Sequence, residues 1–271
     1  MDRLNEIKKP LEREFSEYTE FIKRVLHSDD PFVSGIMDYI ISSHGKGILP
    51  FLVFLCAGIH SKAGKGKRSY LAAMLVEMIH NASLIHDDVV DGSDTRHGKP
   101  TVHSKWNSRV SVLSGDYILA RSYVIGMRSA QYDIVSYITD GIAELVEGEL
   151  IQSELNEKRV VTRQSYLDII FKKTATLIGV SSGSGAMSAG ANPTEVGLAR
   201  QIGLNLGMAF QIKDDILDYA PSEQTGKSSC ADLREGKVTL PLIAILERCG
   251  KTECQTIMDK VKAAGSNPEL I

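Results

Sequence analysis

Along residues 3–26, Leu4, Ile7, Leu11, Phe15, Tyr18, Ile22 and Val25 recur three or four apart, with Lys, Arg and Glu between them. That spacing predicts a helix with one buried stripe. Asp29-Asp30-Pro31 supplies a cap and a proline for the first helical position, and Phe32, Val33, Ile36, Met37, Ile40 and Ile41 continue the helical period until Gly45 and Gly47 break it. An apolar segment over 48–60, a Lys- and Gly-containing loop from Ser61 to Arg68 and a long segment over 69–90 follow. The last has apolar or small residues on most faces, as a helix buried all round requires. After a polar loop from Gly92 to Asn107, helical patterning resumes over 108–129, 133–155, 163–190 and 194–219. A second basic loop, Gly226 to Gly236, precedes two more helical stretches, 238–248 and 252–264. The small residues of 174–191 suit either close helix packing or a wall that leaves room for a ligand. With no run of period-2 alternation and no short repeat, the predicted fold is all-α.

Composition adds boundaries to this picture. A chain of 271 residues can form one large domain or two small ones, and the lack of a low-complexity linker favours a single domain over 1–271. A net charge of -3 with 24% charged residues gives no global excess of base to draw the chain to nucleic acid. The charged, amphipathic start Met1 to Glu6 is not a secretory signal. The longest apolar run, Ile48 to Ile59, is too short to span a bilayer and contains Pro50. Cys56, Cys230, Cys249 and Cys254 form no CxxC pair, so a reducing, cytoplasmic home is expected.

The chemistry concentrates at two helix ends. Leu84-Ile85-His86-Asp87-Asp88-Val89-Val90-Asp91 is an apolar run that finishes in three aspartates, and Gln211-Ile212-Lys213-Asp214-Asp215-Ile216-Leu217-Asp218 repeats the DDxxD arrangement. On a helix Asp87 and Asp91 project from one face a turn apart, as do Asp214 and Asp218. These carboxylates repel one another and face the negative end of the helix dipole, so a cation should compensate. Hard oxygen ligands that leave room for water or phosphate suit Mg²⁺. One DDxxD is equally well read as a solvated acidic helix end. Two copies, each followed by cations (Arg96, His97 and Lys99; Lys227, Arg234 and Lys237), favour a metal-diphosphate site.

Together with Arg96-His97-Gly98-Lys99-Pro100-Thr101, Lys173-Thr174, Gly226-Lys227 and Asp232-Leu233-Arg234-Glu235-Gly236-Lys237, these stretches resemble the motifs of the trans-isoprenyl (polyprenyl) diphosphate synthases, in order and over nearly the whole chain. The resemblance implies an isoprenoid-synthase fold, helices around a central active-site cavity, and a homodimer. It implies that Asp87, Asp91 and Asp214 ligate Mg²⁺, with Asp88, Asp215 and Asp218 in supporting roles. Arg96, Lys173, Lys227 and Lys237 would then grip the allylic diphosphate. Departure of that diphosphate would leave an allylic cation for isopentenyl diphosphate to attack, with the backbone near Lys173-Thr174 and the Gln211 amide stabilising it. Read alone, Lys173 is a snorkelling helix lysine and Gln211 a satisfied core amide.

The same resemblance marks departures. Isopentenyl diphosphate is normally held by a GKxxRP element, a histidine before the first aspartate motif and the second of two arginines after it. Here Lys46 and His80 match, while Leu49 and His97 stand where arginines are expected. Two lost charge-assisted hydrogen bonds correspond to roughly two to four decades of affinity. A weak isopentenyl diphosphate site follows, one that Leu49→Arg should tighten; Lys62, Lys65, Lys67 and Arg68 are a nearby source of charge, or simply a solvated loop. Small residues at Ala82 and Ser83, where the family places a bulky cavity floor, leave the tunnel open as far as a deeper floor near Tyr123. An open tunnel implies a medium- or long-chain product; close helix packing explains the small Ala82 and Ser83 equally well. Family members usually run several helical turns beyond the position of Ile271, so the chain looks short at that end.

Two other readings compete. A terpene cyclase would share the fold, but usually replaces the second DDxxD with a mixed Asn/Ser/Glu motif. A non-catalytic subunit of a heteromeric synthase would fit the altered isopentenyl diphosphate residues, although such subunits usually erode their aspartates too.

Overall fold

The computed structural model describes residues 6–43, 45, 47–60, 66–96, 98–158, 161–220, 230–234 and 237–266. The chain divides into two compact units: Met1–Ile142 with Leu177–Gly203, and Ala143–Thr176 with Leu204–Ile271. Apart from one two-stranded hairpin the described residues are helical or loop, as the 3.6-residue patterning predicts.

In the first unit the opening helical pattern is broken at Pro10, which sits in a 3-10 turn, Lys9–Leu11, ahead of α1, Glu12–Leu26. Proline has no N–H to donate and its ring opposes the carbonyl four residues back, so one continuous helix cannot form there. Tyr18, Ile22, Val25 and Leu26 are the buried stripe of α1. Helix α2, Pro31–Ser42, starts on the predicted cap: Asp30 accepts from the N–H groups of Phe32 at 2.9 Å and Val33 at 3.0 Å. Helix α3, Ile48–His60, places Phe54 at the centre of an aromatic cluster, 5.9 Å from Phe15, 6.0 Å from Tyr18 and 5.3 Å from Tyr70 between ring centroids. Helix α4, Lys67–Val90, is the long buried helix, and it packs along α6, Ser108–Arg128, which Asn107 caps through the Val110 N–H.

The polar loop between α4 and α6 is more ordered than its composition suggests. Strands β1, Thr95–Arg96, and β2, Lys99–Pro100, pair antiparallel, and a short helix α5, Val102–Lys105, follows under a Thr101 cap. Helix α7, Tyr132–Lys158, begins in the first unit and ends in the second. The small-residue segment resolves in favour of close packing: in α9, Thr176–Ser188, a Cβ on Gly185 would lie 2.4 Å from the Val53 carbonyl oxygen of α3.

In the second unit, α8, Arg163–Ile170, is capped by a reciprocal Thr162–Ser165 pair. The helix predicted over 163–190 is not uniform, because Phe171–Ala175 forms a π-helical turn between α8 and α9. Helix α10, Pro193–Asp218, enters this unit at Leu204. Three further helices, α11, Ala231–Arg234, α12, Leu240–Leu246, and α13, Lys251–Ser266, complete the described elements. Tyr166, Ile170 and Ile243 form a core packed against Met208, Ile212 and Leu240. No helix among the described residues is long and apolar enough to cross a membrane.

Candidate active site

The first aspartate motif lies in the last turn of α4. Asp91 is the C-cap, its N–H on the Asp87 carbonyl at 2.8 Å, and Gly92 follows at φ 63° with Ser93 N–H returning to the Asp88 carbonyl at 3.0 Å. A left-handed glycine after the C-cap satisfies orphan carbonyls and turns the chain back over its own helix. The β1–β2 hairpin is anchored on α2, where Lys99 donates to the Ser42 carbonyl at 2.6 Å and Tyr39 donates to the Pro100 carbonyl at 2.6 Å. Arg96 therefore reaches Asp88, Nε to Oδ1 at 2.8 Å. Asp88 is only 5% exposed. Burial raises its pKa above the usual carboxylate value, against the opposing pull of Arg96. Asp87 is half-buried and Asp91 exposed.

Helix α6 seats this turn. His86 Nε2 lies 3.1 Å from the Val112 carbonyl and 3.4 Å from an Asp116 oxygen, and Ser111 donates to the Ile85 carbonyl at 3.3 Å. Gly115 makes room: a Cβ there would come within 2.3 Å of His86 Nε2. Gly115-Asp116 thus holds the residue beside Asp87, a role the sequence reading did not give it.

In the second unit the middle aspartate is again the buried one, Asp215 at 5% exposure. Its two oxygens are both used, one accepting from the Tyr166 hydroxyl at 2.6 Å and the other from Gln211 Nε2 at 2.8 Å. Gln211 Oε1 in turn accepts from Thr174 Oγ1 at 2.9 Å. The chain of donors fixes which way the Gln211 amide points. Burial raises the Asp215 pKa while Tyr166 and Gln211 pull it down, and burial beside Asp215 pushes the Tyr166 phenol far above its ordinary range. Asp218 is half-buried, accepting from the Asp232 N–H at 3.1 Å, and Asp214 is exposed.

Lys173 and Thr174 stand in the π-helical turn, a wider coil that recurs at functional sites. Gly148 of α7 lets it come close, since a Cβ there would lie 2.6 Å from Lys172 Cβ. Lys173 Nζ is held by Glu149 at 2.8 Å and Gln152 at 2.9 Å, so it is an ion-paired lysine rather than a solvated one.

The structure thus joins Lys173's neighbour Thr174 to Gln211 and Asp215, and Arg96 to Asp88. Lys46, His97 and Lys227 lie outside the described residues, as do Lys62 and Lys65. His80 is half-buried on α4, two turns before Asp87, and Lys237 is half-buried with its N–H on the Asp232 carbonyl at 2.8 Å. Leu49 is a core residue at 7% exposure, so an arginine there must bring its charge out of the packing. Arg68 belongs to the first turn of α4, bound by Asp133 and Gln131, not to a solvated loop. Ala82 is fully buried, Ser83 half-buried, and Tyr123 of α6 is 48% exposed. Tyr166, Glu149 and Gln152, which bond Asp215 and Lys173, and His86, seated on the Val112 carbonyl, are residues that periodicity could not separate from ordinary helix positions.

Among the described residues no three carboxylate, imidazole or thiolate groups converge as a ready-made chelate. The outward carboxylates, half-buried Asp87 and exposed Asp91 and Asp214, are hard oxygen donors of the kind a divalent cation takes together with water and phosphate.

The Polyprenyl synthetase family model matches residues 30–271. An octaprenyl diphosphate synthase of Haemophilus influenzae is 34% identical over 268 residues, covering 98% of this chain and 81% of that protein. A geranylgeranyl diphosphate synthase of Sulfolobus acidocaldarius is 33% identical over 255 residues, covering 91% and 76%. Among solved structures, a geranylgeranyl pyrophosphate synthetase from Pyrococcus horikoshii aligns with a TM-score of 0.87 at 28% identity, over 99% of this chain and 85% of that one. A polyprenyl synthase from Caulobacter crescentus, complexed with calcium and isoprenyl diphosphate, gives 0.82 at 29% identity over 98% and 86%. With its helical elements, its two aspartate motifs and these matches, the chain belongs to the polyprenyl synthetase family of trans-isoprenyl diphosphate synthases.

Proposed function

We propose that this family member condenses an allylic diphosphate with isopentenyl diphosphate, using Mg²⁺, to give a medium- or long-chain trans-polyprenyl diphosphate. The observation that carries the reading is the end of α4, where Asp87 and Asp91 share a face while Asp88 is withdrawn to hold Arg96. In the first motif Asp87 and Asp91 would be metal ligands with Asp88 in support, and in the second Asp214 would be a ligand with Asp215 and Asp218 in support. When bound, Mg²⁺ supplies Lewis-acid neutralisation of the departing diphosphate. Arg96, Lys173, Lys227 and Lys237 would supply positive charge for the allylic diphosphate.

The remaining work falls to the chain's own dipoles. The Gln211 carbonyl oxygen, oriented by Asp215 and Thr174, is a fixed negative end for an allylic cation, and it needs no reorganisation as charge develops. Lys46, His80 and His97 are the residues for isopentenyl diphosphate, and the loss of two arginines predicts weak binding of that substrate. Ala82 and Ser83 offer no bulky floor, which supports a product longer than farnesyl diphosphate. The protein acts as a homodimer in the cytoplasm on this reading.

The test is incubation of purified protein with Mg²⁺, an allylic diphosphate and isopentenyl diphosphate, with chromatography of the products. Elongation beyond farnesyl diphosphate is expected. Elongation that stops there refutes the chain-length part, and no turnover favours a non-catalytic subunit.

A further inference from the structure

A cavity of about 920 Å³ opens in the first unit at the far end of α4 from the aspartates. Its volume falls within the roughly 300–1,000 Å³ of small-molecule sites. Phe21 of α1, Leu71 of α4 and Ile125 of α6 give it apolar walls, and Arg24, Lys67, Arg68 and Arg128 surround them.

The charge is unbalanced. Glu17 and Glu20 also line the cavity, but Glu17 is engaged by Arg13 at 2.8 Å and by the Tyr70 hydroxyl at 2.7 Å, and Glu20 by Lys23 at 3.0 Å. Arg68 is held by Asp133 and Gln131, and Arg24 leans on its own helix through the Glu20 carbonyl at 3.4 Å. Lys67 and Arg128 are exposed and have no hydrogen-bond or ion-pair partner among the described residues. Apolar walls beside two unpaired cations match a molecule with a hydrocarbon tail and a multiply charged anionic head.

We propose that this cavity is a second, non-catalytic binding site for a prenyl diphosphate, its tail against Phe21, Leu71 and Ile125 and its diphosphate between Lys67 and Arg128. The ligand's identity rests on the prenyl diphosphate chemistry proposed above, because such a molecule is what the protein would itself release. The cavity is separate from the aspartate motif. Leu71 and Asp87 are sixteen residues apart on one continuous helix, about 24 Å at the helical rise, and neither Ala82 nor Ser83 lines it.

The experiment uses the full chain in EDTA, with Asp87→Ala and Asp214→Ala in place to disable metal-dependent binding, and tritiated farnesyl diphosphate as the probe in equilibrium dialysis. Metal-independent binding near one molecule per chain is expected. Adding Lys67→Glu and Arg128→Glu should weaken it by about tenfold or more, and farnesol should bind about tenfold less tightly than the diphosphate. Absent binding in EDTA, in both this protein and the unsubstituted chain, overturns the proposal. So does equal binding by the charge-reversed protein, or farnesol binding as tightly. Both reversed residues are exposed, and an unchanged melting temperature shows that the fold is kept. With intact aspartates, Arg128→Glu alone is expected to elongate at the normal initial rate to the normal length; an altered length overturns the proposal by placing the cavity on the elongation path. Because dialysis does not depend on turnover, failure of this site is distinguishable from failure of the synthase reading.

Discussion

Tyr166→Phe removes one hydroxyl from the second unit and leaves the ring that packs with Ile170 and Ile243. The lost hydrogen bond, 2.6 Å long, ends on a carboxylate that is 5% exposed, so water is poorly placed to replace it. A hydrogen bond to a charged group contributes about 1.5–3 kcal/mol. For a cooperative chain of this size that corresponds to a fall in Tm of about 3–6 °C. The consequence for activity is more specific. Tyr166 opposes the burial that raises the Asp215 pKa, so its loss moves that pKa further up and favours the protonated carboxyl as pH falls. Gln211 Nε2 then loses its charged acceptor, and the amide is free to turn its oxygen away from Thr174. If the Gln211 oxygen stabilises the cation, kcat should fall about 10- to 100-fold, or about 1.4–2.8 kcal/mol of barrier. KM for the allylic diphosphate should change little, since the diphosphate is gripped elsewhere, and the loss should deepen as pH is lowered. Steady-state kinetics over pH 6–9 would show it. A Tm that falls with kcat unchanged, or a KM that rises alone, would refute the argument and leave Tyr166 a packing residue.

Other predictions rest on separate features. Glu77, 5% exposed in α4, has its pKa raised by burial to about 7, with Lys8 opposing, so its stabilising neutral form is fully present below pH 4.5 and lost as pH rises through 7. The difference is about 3 kcal/mol, and thermal melts should show Glu77→Gln overtaking the unsubstituted protein above neutrality; parallel pH profiles would rule this out. Gly115→Ala should force His86 off the Val112 carbonyl and raise the Mg²⁺ concentration for half-maximal activity several-fold; an unchanged Mg²⁺ titration would show that this seat does not position Asp87. EDTA should abolish turnover and Mg²⁺ restore it, while Asp87→Ala should lower kcat on the order of 100-fold or more, an expectation that near-normal turnover in either case would contradict.

The helices were largely legible along the chain because burial imposes a period that survives without tertiary detail, and Asp30-Pro31 and Gly92 mark boundaries by local backbone chemistry. The aspartates announce themselves by repetition and by their place at helix ends. What the linear pattern could not supply was which aspartate of each motif turns inward. The partners of the buried Asp88 and Asp215 come from a hairpin eight residues on and from Tyr166, 49 residues away. Nor could it distinguish Tyr166 from a core aromatic, since its spacing is that of any buried helix position and only the fold brings its hydroxyl to a carboxylate. The π-helical turn at Phe171–Ala175 is likewise a tertiary outcome, lying against α7 where Gly148 has no side chain. Sequence alone therefore determined the all-α class and the acidic chemistry, because period and charge are local properties. Tertiary structure decided the Gln211 orientation, the His86 seat and the basic cavity, because each depends on groups that are distant along the chain and meet only when the helices pack.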